Sequence, residues 1–350
     1  MRRLPIYFLI DVSESMVGEP INQVQDGIRT IIQELRTDPY ALETVFVSII
    51  AFAGKAKTLS PLTELFKFYP PTFPIGGGTS LGEGLNHLMN EMDANIQKTT
   101  MEVKGDWKPI IFLFTDGNPT DRPDSAIARW NTKFRSSCNL IAVSIGDNVD
   151  TQVLGKLTDN VLRLNDTDAQ AFKAFFKWVT ASIKTSSVSV TENSSDELKL
   201  PSLDGINLEK VDPNSHNKVD ENFAVIMGKC QSTGQPYLIK YAKRIKALEI
   251  AGFEQFHGSE YKLVGAYPIN AESYKSLSSD TGTQRNINTM ELIGQPTCPC
   301  CGNQFAFVVC ECGNVFCVGE DVHCKCPWCG MEGILGRGSE NGMDVNRTRG

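Results

Sequence analysis

Ile6-Tyr7-Phe8-Leu9-Ile10-Asp11-Val12-Ser13-Glu14-Ser15 is the stretch that decides the fold. Its first five residues are a continuous apolar run rich in β-branched and aromatic side chains, as expected of a strand buried on both faces. The run ends on a carboxylate, and two hydroxyls follow at alternate positions. That pattern places oxygen donors on a short loop at the edge of a sheet, where open α/β sheets bind ligands.

Two later segments supply donors at equivalent places. Thr79 follows Gly76-Gly77-Gly78, and Asp116 ends the apolar run Ile110-Ile111-Phe112-Leu113-Phe114 plus Thr115. Asp11, Ser13, Ser15, Thr79 and Asp116 together give two carboxylates and three neutral hydroxyls. Two negative charges only balance a divalent ion, so it stays a Lewis acid with room for an incoming oxygen. Magnesium fits this set best, with manganese and calcium as alternatives. Singly, each residue also fits a helix cap or a turn. Three polar sets at strand-to-loop junctions on one sheet edge make coincidence the poorer account.

The chain around these junctions alternates strands with helices. Ile21, Val24, Ile28, Ile31, Ile32 and Leu35 recur at helical spacing, and the helix stops near Asp38-Pro39. Val45 to Phe52 reads as a strand. Ser80 and Glu83 form a capping-box pattern ahead of a helix with Leu81, Leu85, Leu88, Met89, Met92 and Ile96 on its buried face. A helix near Pro123 to Phe134, strands at Leu140 to Ile145 and Val161 to Leu164, and a helix over Ala169 to Ile183 complete the alternation. The expected fold class is α/β, a doubly wound, mostly parallel sheet, followed by a β-rich segment and a small zinc-binding domain. Residues 1–184 form the first domain and 185–222, rich in Ser, Thr and Asn, a linker. Residues 223–295 form a β-rich middle region with a hairpin from Phe223 to Tyr241. Residues 296–335 form the metal-binding domain and 336–350 a disordered tail.

Nine of the 11 cysteines lie between Cys298 and Cys329, in close pairs unlike a secreted disulfide framework. Cys298-Pro299-Cys300-Cys301-Gly302 and Cys326-Pro327-Trp328-Cys329-Gly330 are two knuckles in which paired thiolates hold one metal while glycine permits the turn. The first zinc site is therefore expected from Cys298, Cys301, Cys326 and Cys329. A second is expected from Cys310, Cys312, Cys317 and Cys324, with Cys300 a bystander and Cys138 and Cys230 in the core. Four thiolates leave no open position, so the zinc is structural, and so small a region needs it for stability.

A formal charge of −7 argues against non-specific nucleic-acid binding. The basic N-terminus fails as a signal peptide because its apolar run stops at Asp11, and no stretch is long enough to span a membrane. A cytoplasmic location is expected. No histidine lies in a nucleophile-base motif. An aspartate after a first buried strand also suits a haloacid-dehalogenase-like phosphotransferase, but the general acid/base position there is Ser13, which has no useful pKa near neutrality.

The order D-x-S-x-S, glycine-rich loop with threonine, then T-D-G resembles the metal-ion-dependent adhesion site of von Willebrand factor A domains. Residues 38–44 and 61–65 and the cysteine-rich C-terminus resemble the TerY proteins of tellurite-resistance and stress-response clusters. The resemblance implies that Ser13, Ser15 and Thr79 are hydroxyl ligands, with Asp11 and Asp116 acting directly or through water. A protein partner's carboxylate would complete the shell, and a kinase and a phosphatase are implied as companions. Glu14 stands where glycine is frequent in that family and adds charge near the metal. The function expected is a non-enzymatic, metal-dependent protein-interaction module. The alternatives are the phosphotransferase at the same edge and a zinc-ribbon nucleic-acid binder.

Overall fold

The computed structural model describes residues 2–102, 104–146, 151–164, 169–191, 208–210, 223–250, 253–279, 285–321, 323–334, 336 and 341–348. The chain divides into two compact units. The first is Met1–Val12, Glu19–Phe73 and Thr79–Val219; the second is Ser13–Gly18, Pro74–Gly78 and Asp220–Gly350.

The first unit is built on a seven-stranded sheet of order β3-β2-β1-β4-β5-β6-β7. The strands are β1 (Leu4–Asp11), β2 (Val45–Phe52), β3 (Ala56–Glu64), β4 (Ile110–Thr115), β5 (Asn139–Ile145), β6 (Val161–Leu164) and β7 (Leu208–Lys210). β1, β2, β4, β5 and β6 run parallel, while β3 and β7 close the two edges antiparallel. Every residue of β1 and β4 is buried, the outcome expected of continuous apolar runs between helices on both faces. The helices are α1 (Glu19–Leu35), α2 (Pro39–Thr44), α3 (Leu81–Asn95), α4 (Asp124–Lys133), α5 (Thr151–Gly155) and α6 (Ala169–Thr191).

Strand alternation divides the core. Tyr7 and Leu9 of β1 join Leu85, Leu88 and Met89 of α3 and Trp130 of α4 on one face. On the other, Phe8 stacks on Phe112 and Phe114, and Phe114 meets Phe175 and Phe176 of α6. α1 buries the apolar set read from its spacing. It comes so close to α6 that a Cβ on Gly27 would lie 2.0 Å from the Phe176 ring. Gly27→Ala in a helix interior ordinarily stabilises by about 1 kcal/mol. Here overpacking reverses the sign, and thermal melts are expected to show a loss of roughly 1–3 kcal/mol.

Two local expectations change. Pro39 ends α1 as anticipated but also opens α2, with the Asp38 carboxylate accepting from the Tyr40 and Ala41 amides. The capping box at Ser80 does not form: Ser80 makes no side-chain cap bond, and Asp121 accepts from the Gly82 amide at 2.9 Å. A side chain arriving from another loop displaced the local one because Gly82, without a Cβ, leaves room for it.

The second unit holds a six-stranded sheet of order β12-β10-β9-β8-β14-β13. Its strands are β8 (Phe223–Lys229), β9 (Pro236–Ile250), β10 (Phe253–Pro268), β12 (Leu292–Ile293), β13 (Phe305–Val309) and β14 (Val315–Val318). Beside them lie α7 (Ala271–Leu277), the pair β11 (Arg285–Asn288) with β17 (Asp344–Arg347), and the pair β15 (His323–Lys325) with β16 (Glu332–Ile334). The predicted hairpin is β8 and β9 in antiparallel register.

The boundary expected between 223–295 and 296–335 is absent. β14 pairs parallel with β8, and Ala224, Ile239, Ala306 and Val315 share one core cluster. Nor is 336–350 a disordered tail throughout, since β17 pairs with β11 and buries Val345 completely. A short strand with one apolar residue carries too weak a pattern to be read without its partner. In the expected linker 185–222, α6 continues to Thr191 and β7 covers Leu208–Lys210; 192–207 and 211–222 lie outside the described residues. Among the described residues no helix is long and apolar enough to cross a membrane.

Candidate functional site

The strand ends place the oxygen donors. β1 and β4 run in register, Ile10 beside Phe114, so Asp11 and Thr115 finish level with each other. The Thr115 hydroxyl donates to Asp11 Oδ2 at 2.7 Å and orients that carboxylate. Asp116 follows directly. Thr79 stands one residue before the N-cap of α3 and is fixed by Thr120, which accepts from the Thr79 amide at 2.9 Å and donates its own amide to the Thr79 carbonyl at 2.8 Å. Thr79 and Asp116 are 2% and 5% exposed and Asp11 fully buried, so bulk water does not solvate them. Sequence reasoning does not single out Thr120, and Thr115 enters it only as part of T-D-G. Their role follows only from strand register and loop crossing, which no local pattern encodes.

Ser13 and Ser15 lie on the loop leaving β1, buried at 0% and 6% exposure. Ser13 occupies the N-cap position of a helical turn, Glu14–Met16, but its hydroxyl makes no cap bond. Instead Ser13 Oγ lies 3.0 Å from Ser15 Oγ. Adjacent oxygens of an octahedral shell at about 2.1 Å are about 3.0 Å apart, and the equatorial oxygens of a seven-coordinate calcium shell at about 2.4 Å are about 2.8 Å apart, so the spacing is compatible with either ion. The 3.0 Å separation is that of a hydrogen bond between the two hydroxyls, and as hard oxygen donors both suit a divalent cation chemically.

The cysteines form two groups, and their membership corrects the expected pairing. Cys230, Cys298, Cys301 and Cys317 make one, and Cys310, Cys312, Cys326 and Cys329 the other, with all four sulfurs of each group within 4.8 Å of one another. Cys301 and Cys317 are 3.7 Å apart, Cys310 and Cys329 3.7 Å, and Cys312 and Cys326 3.9 Å. A tetrahedron with Zn–S bonds of about 2.3 Å has edges of about 3.8 Å. The two outer knuckles therefore fall in different groups. β14 lies beside β8, which brings Cys317 and the turn after β8 to the first knuckle. The β13–β14 hairpin carries Cys310 and Cys312 to the second.

Cys230 is buried in the core cluster, as expected, and is a ligand candidate as well, while Cys324 falls outside both groups, its thiol 3.6 Å from the Gly333 carbonyl. Cys300 stays outside both, as expected. A signal for Cys230 existed: Gly234 follows four residues later at φ +71° and donates its amide to the Cys230 carbonyl, the bond Gly302 makes to Cys298 and Gly330 to Cys326. N–H groups also reach sulfur from Gln231 to Cys317 at 3.3 Å and from Thr233 to Cys230 at 3.4 Å.

The thiols are unevenly tuned. Burial pushes Cys230 up, but the Thr233 hydroxyl and amide and the Cys301 thiol outweigh it and bring it down to about 7. Desolvation likewise opposes the Asn314, Cys310 and Cys329 contacts that bring Cys312 down to about 6. Cys310 is pulled down by the Cys312 amide, yet burial and the neighbouring thiols push it up to about 12; burial raises Cys317 too. Metal ligation requires thiolates, so those protons must leave. Zinc uptake near neutral pH is expected to release more than one proton per site, and affinity to fall on acidification. Calorimetry in buffers of different ionisation enthalpy checks this.

Known proteins are similar to parts of this chain. The von Willebrand factor type A domain family matches residues 6–177, and the TerY-C metal binding domain family matches residues 220–350. Among individual proteins, inter-alpha-trypsin inhibitor heavy chain H1 is 26% identical over 121 residues in Bos taurus and 24% in Sus scrofa. The match covers 33% of this chain and 13% of each relative. Similar solved structures include the pilus adhesin SpaC from Lactobacillus rhamnosus GG, at TM-score 0.44 and 15% identity over 53% of this chain and 31% of that one. Proximal thread matrix protein 1 from the mussel byssus, described with a zinc-occupied MIDAS motif, aligns at TM-score 0.38 and 15% identity over 53% and 46%. BatB from Bacteroides thetaiotaomicron aligns at 0.36 and 16% over 52% and 99%. The two family matches, the mostly parallel sheet and the paired cysteine groups agree with one another. The chain is a von Willebrand factor type A domain followed by a TerY-C metal binding domain, the TerY-like architecture.

Proposed function

We propose that this protein is a non-enzymatic interaction module in which a divalent cation held by Asp11, Ser13, Ser15, Thr79 and Asp116 captures a carboxylate of a protein partner. The observation that carries this reading is the Ser13–Ser15 oxygen spacing of 3.0 Å beside a buried Asp11. Two carboxylates leave the ion with no excess negative charge from the protein, so an anionic ligand completes its shell. Magnesium or manganese is the ion proposed, because a small set of hydroxyls and two carboxylates suits octahedral oxygen coordination. Two zinc ions in the C-terminal cysteine groups supply the fold that the small β-rich elements lack. The likeness to TerY proteins directs the search for a partner to tellurite-resistance and stress-response assemblies, including a kinase and a phosphatase, in the cytoplasm.

The test is capture of partners on the immobilised full chain with and without magnesium, beside Ser13→Ala and Thr79→Ala. Magnesium is withdrawn by omission, because a chelator would also strip zinc. Capture that needs magnesium and both hydroxyls supports the reading. Capture that survives both substitutions and magnesium omission sinks it. Release of phosphate from an aryl phosphate, lost in Asp11→Asn, would favour the phosphotransferase instead.

A further inference from the structure

Glu14 lies between the two hydroxyl residues, yet hydrogen bonds within the second unit occupy both of its carboxylate oxygens. Oε1 accepts from the Tyr274 hydroxyl at 2.6 Å and Oε2 from the Gly78 amide at 2.8 Å, leaving the residue 1% exposed. Tyr274 stands on α7, whose start is fixed by the Asn270 side chain. Ser278, just past α7, accepts from the Gly77 amide at 2.9 Å and donates to the Tyr274 carbonyl at 2.7 Å. Lys240 of β9 is buried and donates to the Ser15 carbonyl, and to that of Val17 at 3.3 Å. The fit leaves no slack: a Cβ on Gly77 would lie 2.8 Å from the Tyr274 oxygen and 2.9 Å from that of Ser278.

We infer that Tyr274, Ser278 and Lys240 are positioning residues for the cation, holding the Ser13–Gly18 and Pro74–Gly78 loops in a metal-ready shape. The inference rests on the divalent-cation reading above. A free loop carrying Ser13 and Ser15 loses conformational entropy when an ion orders it, and a loop already held does not. Glu14 is withheld from the cation as the anchor of this grip. Coupling is reciprocal, so a grip that raises cation affinity is itself tightened by the cation to the same degree.

The test uses the full zinc-loaded chain with manganese as the probe, followed by electron paramagnetic resonance, for wild type, Tyr274→Phe and Ser278→Ala. Phenylalanine keeps the ring that packs near Val17 and Ile269 and removes only the hydroxyl. Manganese affinity is expected to fall about tenfold in Tyr274→Phe, the loss of one charge-assisted hydrogen bond. Manganese should slow hydrogen exchange at the Gly77 and Gly78 amides in wild type and less in Tyr274→Phe, a difference a merely structural tyrosine would not give. Affinity within twofold of wild type in both variants, or exchange at those amides indifferent to manganese, overturns the inference and leaves the proposed function standing. A wild-type chain that binds no manganese overturns both.

Discussion

Alanine in place of Asp11 is expected to weaken magnesium or manganese binding by about 100-fold, about 2.7 kcal/mol, while zinc content stays unchanged. Asp11 supplies one of only two carboxylates, is completely buried, and is aimed by the Thr115 hydroxyl. Its removal halves the negative charge facing the ion, and charge count is a main determinant of affinity in hard-cation sites. Asp11→Asn should lose most of the same affinity although it keeps an oxygen for Thr115, which separates charge from shape. The readout is thermal melting against cation concentration. A ligand that binds only the folded state raises the melting temperature, so wild type should climb with magnesium and both variants should not. An equal rise in Asp11→Ala would remove the strand-edge site from the account.

Cys317→Ser is expected to reduce bound zinc from about two ions per chain to about one and to lower the melting temperature of the second unit sharply. Cys324→Ser should do neither. Structural zinc contributes on the order of 10 kcal/mol to small metal-held folds, comparable with the whole stability of an ordinary domain. The Cys317 sulfur is buried beside Cys301 and receives the Gln231 amide, whereas Cys324 sits on the β15–β16 pair outside either tetrad. Cys230→Ser should behave like Cys317→Ser, despite lying far upstream of the cysteine-rich stretch. Zinc analysis by mass spectrometry decides the point. Loss of zinc in Cys324→Ser with retention in Cys230→Ser would restore the pairing read from spacing alone.

Elements whose patterns are local and strong were legible in the sequence. Two-sided apolar runs could only be central strands, the 3.6-residue spacing of Ile21 to Leu35 could only be a helix covering them, and donors at the strand ends followed. It also revealed the knuckles, because a C-x-x-C-G turn is built from neighbours. Partnership across the fold lay beyond it. Which cysteines share a metal depends on β14 pairing with β8, and which group caps α3 depends on Asp121 arriving from another loop. Glu14 reads in sequence as a charge beside the metal site, and its bonds from the Tyr274 hydroxyl and the Gly78 amide are visible only in the fold. Each of these was decided by contacts between residues far apart in the chain, whose free energy depends on distances that composition and spacing do not carry.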